Sequence, residues 1–100
     1  MVAFEVEFLR NKKDEYFKLV DFLQKELVSQ EGLISIERFE SINNKNRILS
    51  LQIWKNKKCI IEWKNNIEHK KVQRFGKDNL FKNFNITVSK VIDNYSFNKV

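Results

Sequence analysis

Trp54, Trp63 and His69 fall within one short stretch, W-K-N-K-K-C-I-I-E-W-K-N-N-I-E-H-K-K-V-Q-R-F-G from Trp54 to Gly76, and they are all the tryptophan and histidine of a 100-residue chain. Indole rings can wall a small enclosed site for a flat organic ligand, and an imidazole can move a proton near neutral pH. Gln73 and Arg74, later in the same stretch, could add a polar contact and a positive charge. The same residues also fit an ordinary helix face. Trp63 at helical spacing from Cys59 and Ile67 reads as core, and His69 among Glu68, Lys70 and Lys71 reads as solvated.

Other chemistries find little support. One histidine and one cysteine make no zinc pattern. Cys59 is followed by Ile60 and Ile61, which suits buried packing better than a reactive thiol with a base beside it. Gly32 and Gly76 alone cannot build a glycine-rich phosphate loop.

The elements that would position these residues follow from periodicity. Val2, Phe4, Val6 and Phe8 alternate with Ala3, Glu5 and Glu7, the period of a strand with one buried face. Asn11 ahead of Asp14 is placed to cap a helix whose stripe is Tyr16, Leu19, Val20, Leu23 and Leu27. Gly32 is suited to ending that helix. Leu33 to Ile42 reads as a strand with Ile34 and Ile36 in phase, Asn43 to Asn46 as a polar turn, and Arg47 to Trp54 as the returning strand. A second helix is expected from Lys57 to about Lys64. Asn65 and Glu68 have the spacing of a capping box for a further helical piece that Gly76 interrupts. Phe84, Ile86 and Val88 alternate in a last strand ending near Asp93.

The order β-α-β-β-α-β is that of an α+β, ferredoxin-like split βαβ domain spanning residues 1–100, with an antiparallel sheet and helices on one face. The third strand offers Leu49, Leu51 and Ile53 one way and Ile48 and Trp54 the other, so the sheet has apolar residues on both sides. Pairing two such sheets would cover the open face, and a homodimer through sheet faces is the physical expectation.

RNA-binding domains of the RRM type share this element order, and the chain carries a net charge of +6. Their third strand needs exposed aromatic rings to stack on bases. Here it reads Arg47-Ile48-Leu49-Ser50-Leu51-Gln52-Ile53-Trp54, which lacks that platform. Acids are scattered among the lysines and proline is absent, so the charge reads as compositional drift and no nucleic-acid partner is expected. No apolar run approaches the ~20 residues of a membrane span, and the first residues lack the basic and apolar regions of a signal peptide. A single cysteine cannot form an intrachain disulfide. These features point to the cytoplasm and to no membrane partner.

From Ser50 to Phe97 the chain resembles the antibiotic biosynthesis monooxygenase (ABM) domain of the dimeric α/β-barrel superfamily. The matching residues are Ser50, Ile53-Trp54, Trp63-Lys64, Glu68-His69, Gln73, Gly76-Lys77, Leu80-Phe81, Phe84, and Tyr95 with Phe97. Upstream, Glu31-Gly32-Leu33 resembles the family's step into its second strand, without the proline. The resemblance implies a dimeric α/β barrel with a pocket between sheet and helices. Relatives include cofactor-free oxygenases of polycyclic aromatics, quinol oxygenases and haem-opening enzymes. The haem-opening branch combines a strand-1 asparagine, a helix-2 tryptophan and a histidine about three helical turns later; Trp63 fits the tryptophan, but Glu5 and Glu7, and Gln73, stand at the other two places, so haem degradation fits poorly.

The reading implied is a monooxygenase needing no cofactor, acting on a small aromatic or quinol-like ligand that supplies its own electrons. His69 would be the base and Trp63 a donor, with Trp54, Gln73, Arg74 and Phe81 contacting substrate. Ile53 and Leu80-Phe81 stand where relatives often carry tyrosine or tryptophan, which removes possible proton donors. A non-catalytic ligand-binding or structural homodimer of the same fold is the alternative.

Overall fold

The computed structural model describes residues 1–99, with the side chains of Ile67 and Glu68 outside the described set. Its elements run β1 (Val2–Phe8), α1 (Lys13–Val28), β2 (Leu33–Glu40), β3 (Arg47–Trp54), α2 (Lys57–Lys64), α3 (Ile67–Asn79) and β4 (Phe81–Val88). The strands form one antiparallel sheet in the order β2-β3-β1-β4, the ferredoxin-like arrangement. No helix among the described residues is long and apolar enough to cross a membrane.

Alternation assigns the two faces. Val2, Val6 and Phe8 of β1 and Ile48, Ser50 and Trp54 of β3 are buried beneath the helices. Leu49, Leu51 and Ile53 lie on the opposite face and are half-buried. There Leu49 pairs with Phe39 and Leu51 with Ala3, and Arg47 reaches Glu5 at 3.5 Å and Glu7 at 3.8 Å. The open face is therefore apolar toward the end of β3 and charged toward its start.

The α1 stripe packs as its spacing requires: Tyr16 and Leu27 are buried, with Leu19, Val20 and Leu23 packed around them. Its start differs from the expected Asn11 cap. Lys12 is the N-cap residue and its side chain makes no capping bond, and Asn11 makes the preceding turn at φ 64°, a conformation asparagine tolerates. Asp14 and Glu15 in the first turn still favour the helix dipole.

Gly32 turns the chain at φ 90° after α1, and a Cβ there would overlap the side chain of buried Cys59. β2 ends at Glu40, short of Ile42, because the Ser41 hydroxyl accepts the Asn43 and Asn44 amides and starts the turn early. The register shifts between Leu33 and Ser35, which leaves Ile34 exposed and out of phase with the inward Ile36.

Both short helices over the sheet are capped by asparagine. Asn56 Oδ1 accepts the Cys59 amide and Asn66 Oδ1 the His69 amide, each at 3.0 Å. The cap of α3 is thus Asn66, since Asn65 still ends α2; the Glu68 half of the expected box lies outside the described residues. Gly76 does not interrupt α3, which continues to Asn79. It is buried there, and a Cβ would come within 2.5 Å of the Phe81 ring. β4 begins at Phe81 and ends at Val88, short of the expected Asp93; its last strand partner on β1 is Val2, and Ser89 still exchanges backbone hydrogen bonds with Met1 at 2.9 and 2.8 Å.

Candidate active site

The core is split. One cluster is built on Val2, Leu27, Trp54, Cys59 and Trp63, the other on Val6, Phe8, Tyr16, Ile48 and Leu80. Between them lies a cavity of about 350 Å³, within the range of small-ligand sites. Its floor is the inner face of the sheet, including Phe4, Ser50 and Gln52; α1 supplies Tyr16 and Leu23 to its wall, and α2 and α3 supply Trp63 and His69.

His69 and Trp63 meet in this cavity. Their rings stack with centroids 4.5 Å apart and planes 21° from parallel. Helix geometry brings this about: Trp63 lies in the last turn of α2, and the Asn66 cap starts α3 immediately afterwards with His69 in its first turn. Burial pushes the imidazole below its ordinary pKa, and the Trp63 backbone opposes this more weakly. Nδ1 is buried with no partner of hydrogen-bond geometry. At neutral pH the ring is therefore uncharged, the form that can accept a proton.

Gln73 and Phe81 line the same cavity, so four of the six residues singled out from the sequence converge there. Trp54 does not reach the lining. It lies behind Trp63, with ring centroids 6.4 Å apart, and its Nε1 donates to Gln52 Oε1 at 2.9 Å. Trp54 thus orients the Gln52 carboxamide that does line the cavity. Arg74 is exposed and outside the lining. Tyr95 and Phe97 are exposed beyond the end of β4.

Three polar residues complete the site. Ser50 is buried at 3% exposure on the cavity floor. Tyr16, assigned to the core by its helical spacing, also lines the cavity, and burial raises its phenol pKa while neighbouring Arg38 pulls it down. Arg38 had no role in the sequence reading. Its phase with Ile36 on β2 was the available signal, because residues two apart share a face.

The sequence profile of the antibiotic biosynthesis monooxygenase family matches residues 1–74. The chain belongs to the ABM family. The matched part of this ABM domain includes Trp54, Trp63, His69 and Gln73 but stops short of Phe81. A jasmonate monooxygenase of Pyricularia oryzae is 27% identical over 99 residues, which are 99% of this chain and 46% of that protein. The ABM chain thus spans less than half of that relative's length.

Solved structures agree on the fold. A candidate antibiotic biosynthesis monooxygenase from Deinococcus radiodurans superimposes with a TM-score of 0.82 at 12% identity, covering 99% of this chain and 100% of the other. A Mycobacterium tuberculosis protein gives 0.82 at 14% identity, covering 95% and 96%. At such identities the likeness speaks for the ferredoxin-like fold alone.

Proposed function

We propose that this ABM domain is a cofactor-independent monooxygenase acting on a small aromatic, quinol-like compound. The observation that carries the reading is the His69–Trp63 stack on the cavity wall, with His69 Nδ1 buried and unpartnered. A neutral imidazole there can accept the proton of a phenol whose ring lies beside Trp63 and Phe81. The resulting anion is electron-rich enough to reduce dioxygen. A hydroquinone plus O2 then gives a hydroxyquinone plus water: one oxygen atom enters the ring, and the other leaves as water with the substrate's two hydrogens. The protein's contribution is deprotonation, orientation and exclusion of water. The relationship to a jasmonate monooxygenase is in keeping with oxygen insertion as the reaction class.

The second reading, a non-catalytic ligand-binding homodimer, has its own support. Leu80 is fully buried and Phe81 has no polar atom, so neither can donate a proton to an oxygen intermediate. Oxygen uptake with a panel of hydroquinones separates the two. Consumption of one O2 per substrate supports the oxygenase; no consumption by folded protein that binds the same compounds supports the binding protein. In either reading the working unit is a homodimer in which the open sheet faces, with Leu49, Leu51, Ile53 and Phe39, cover one another.

A further inference from the structure

The charges around the cavity are of one sign. Arg38 and Lys64 line it, and among the described residues no aspartate or glutamate does. Arg38 lies on the helix side of β2, paired in register with Ser50, and its Nε is buried without a hydrogen-bond partner. The neighbouring acids of β2 are engaged or turned away: Glu37 is in register with the outward Leu51, and Glu40, on the same face as Arg38, is bonded to Lys13 at 2.8 Å. Tyr16 is the polar side chain that Arg38 meets within the protein. A guanidinium on an apolar cavity that is paired with none of the described carboxylates is costly unless something supplies the anion.

We propose that the cavity binds an aromatic carboxylate, whose carboxylate is held by the Arg38 guanidinium and the Tyr16 hydroxyl while its ring lies toward Trp63 and Phe81. A planar fork of N–H donors suits a carboxylate. Tyr16, which Arg38 meets, belongs to the Val6–Phe8 cluster and Trp63 to the other, so an elongated acid would span the gap between the half-cores. The anchor uses groups other than His69 and does not depend on whether the ligand is oxidised; its failure would leave the oxygenase reading standing, and the reverse.

Titration calorimetry with 2-naphthoate and its neutral methyl ester, without any turnover, tests the assignment. The wild-type protein is expected to bind the acid at least about tenfold more tightly than the ester. Arg38→Gln should erase that preference and Arg38→Lys keep part of it, while Lys64→Gln, at the exposed rim, keeps most of it. Circular dichroism checks folding of each variant. The proposal is overturned if the wild type binds both compounds equally or binds neither. It is also overturned if folded Arg38→Gln retains the preference, or if Lys64→Gln alone abolishes it. Should Arg38→Gln not fold, Arg38→Lys decides, with undiminished preference counting against a bidentate anchor.

Discussion

The imidazole of His69 lies flat against the indole of Trp63, 4.5 Å between centroids, and this contact joins the end of one helix to the start of the next. The stack fixes the plane of the base and leaves one nitrogen without a partner. His69→Gln keeps a polar side chain of similar reach but cannot accept a phenolic proton. Its oxygen-uptake rate should fall by about 10²–10⁴-fold with little change in ligand affinity. Turnover equal to wild type would remove His69 as the base. In the wild type the rate should decline on the acid side, with a midpoint below the ordinary histidine pKa.

The same burial links His69 to stability. Its folded-state pKa is lowered, so between that value and the unfolded value of ~6.5 the unfolded chain binds more protons. The histidine-dependent part of stability is thus fully present above ~6.5 and is lost as pH falls toward the folded pKa. Urea midpoints across this range should drop on acidification in the wild type. The drop should be smaller in His69→Gln; identical slopes for the two proteins would contradict the burial of the ring.

Trp63 is both wall and core, which two substitutions can separate. Trp63→Ala should destabilise the fold by about 3–5 kcal/mol, because it merges a buried ring's volume with the cavity. Trp63→Phe keeps an aromatic surface and should lose far less stability while losing the indole N–H. If chemical denaturation found Trp63→Ala as stable as wild type, the Val2–Trp54–Trp63 half-core would not be as described.

Gly76 and Phe81 make a close-approach pair. A methyl at residue 76 would meet the Phe81 ring at 2.5 Å, so Gly76→Ala should cost about 1–3 kcal/mol despite alanine's better helix propensity. Adding Phe81→Leu should recover part of that loss. A double-mutant cycle measured by urea unfolding reads the coupling directly, and strict additivity would show that the ring moves aside freely.

Much of this architecture is legible from periodicity, and the departures have local causes. The bounds of β3 and α2 follow from alternation and helical spacing because both elements bury a regular face. The cap expected at Asn65 falls on Asn66 because the two asparagines offer equivalent side chains and backbone geometry selects one, whereas Asn11 is taken up by its positive-φ turn and leaves Lys12 at the N-cap. Gly76 reads as a breaker until the Phe81 ring, five positions on, supplies the reason for a missing side chain. In the site, the aromatic and titratable residues declare themselves by type. Arg38 does not, because a charge on a strand is ordinarily read as solvent-facing, and Tyr16 is hidden in an apolar stripe.

The open face offers a test of assembly. Leu51→Glu places a charge among Leu49, Ile53 and Phe39 without touching the cavity side of β3. Light scattering should show the wild type as a dimer and the variant shifted toward monomer. A wild-type monomer at micromolar concentration would count against burial of that face.

The division of the interior into two clusters bears on how the domain responds to its ligand. The halves are joined chiefly through the backbone ladders of β1 and β3, which run beneath the cavity. A compound filling that space would act as a keystone, adding the side-chain contacts that let the halves melt together. Amide exchange in the ligand-free protein should then report two levels of protection, one for each half, that converge when the cavity is occupied.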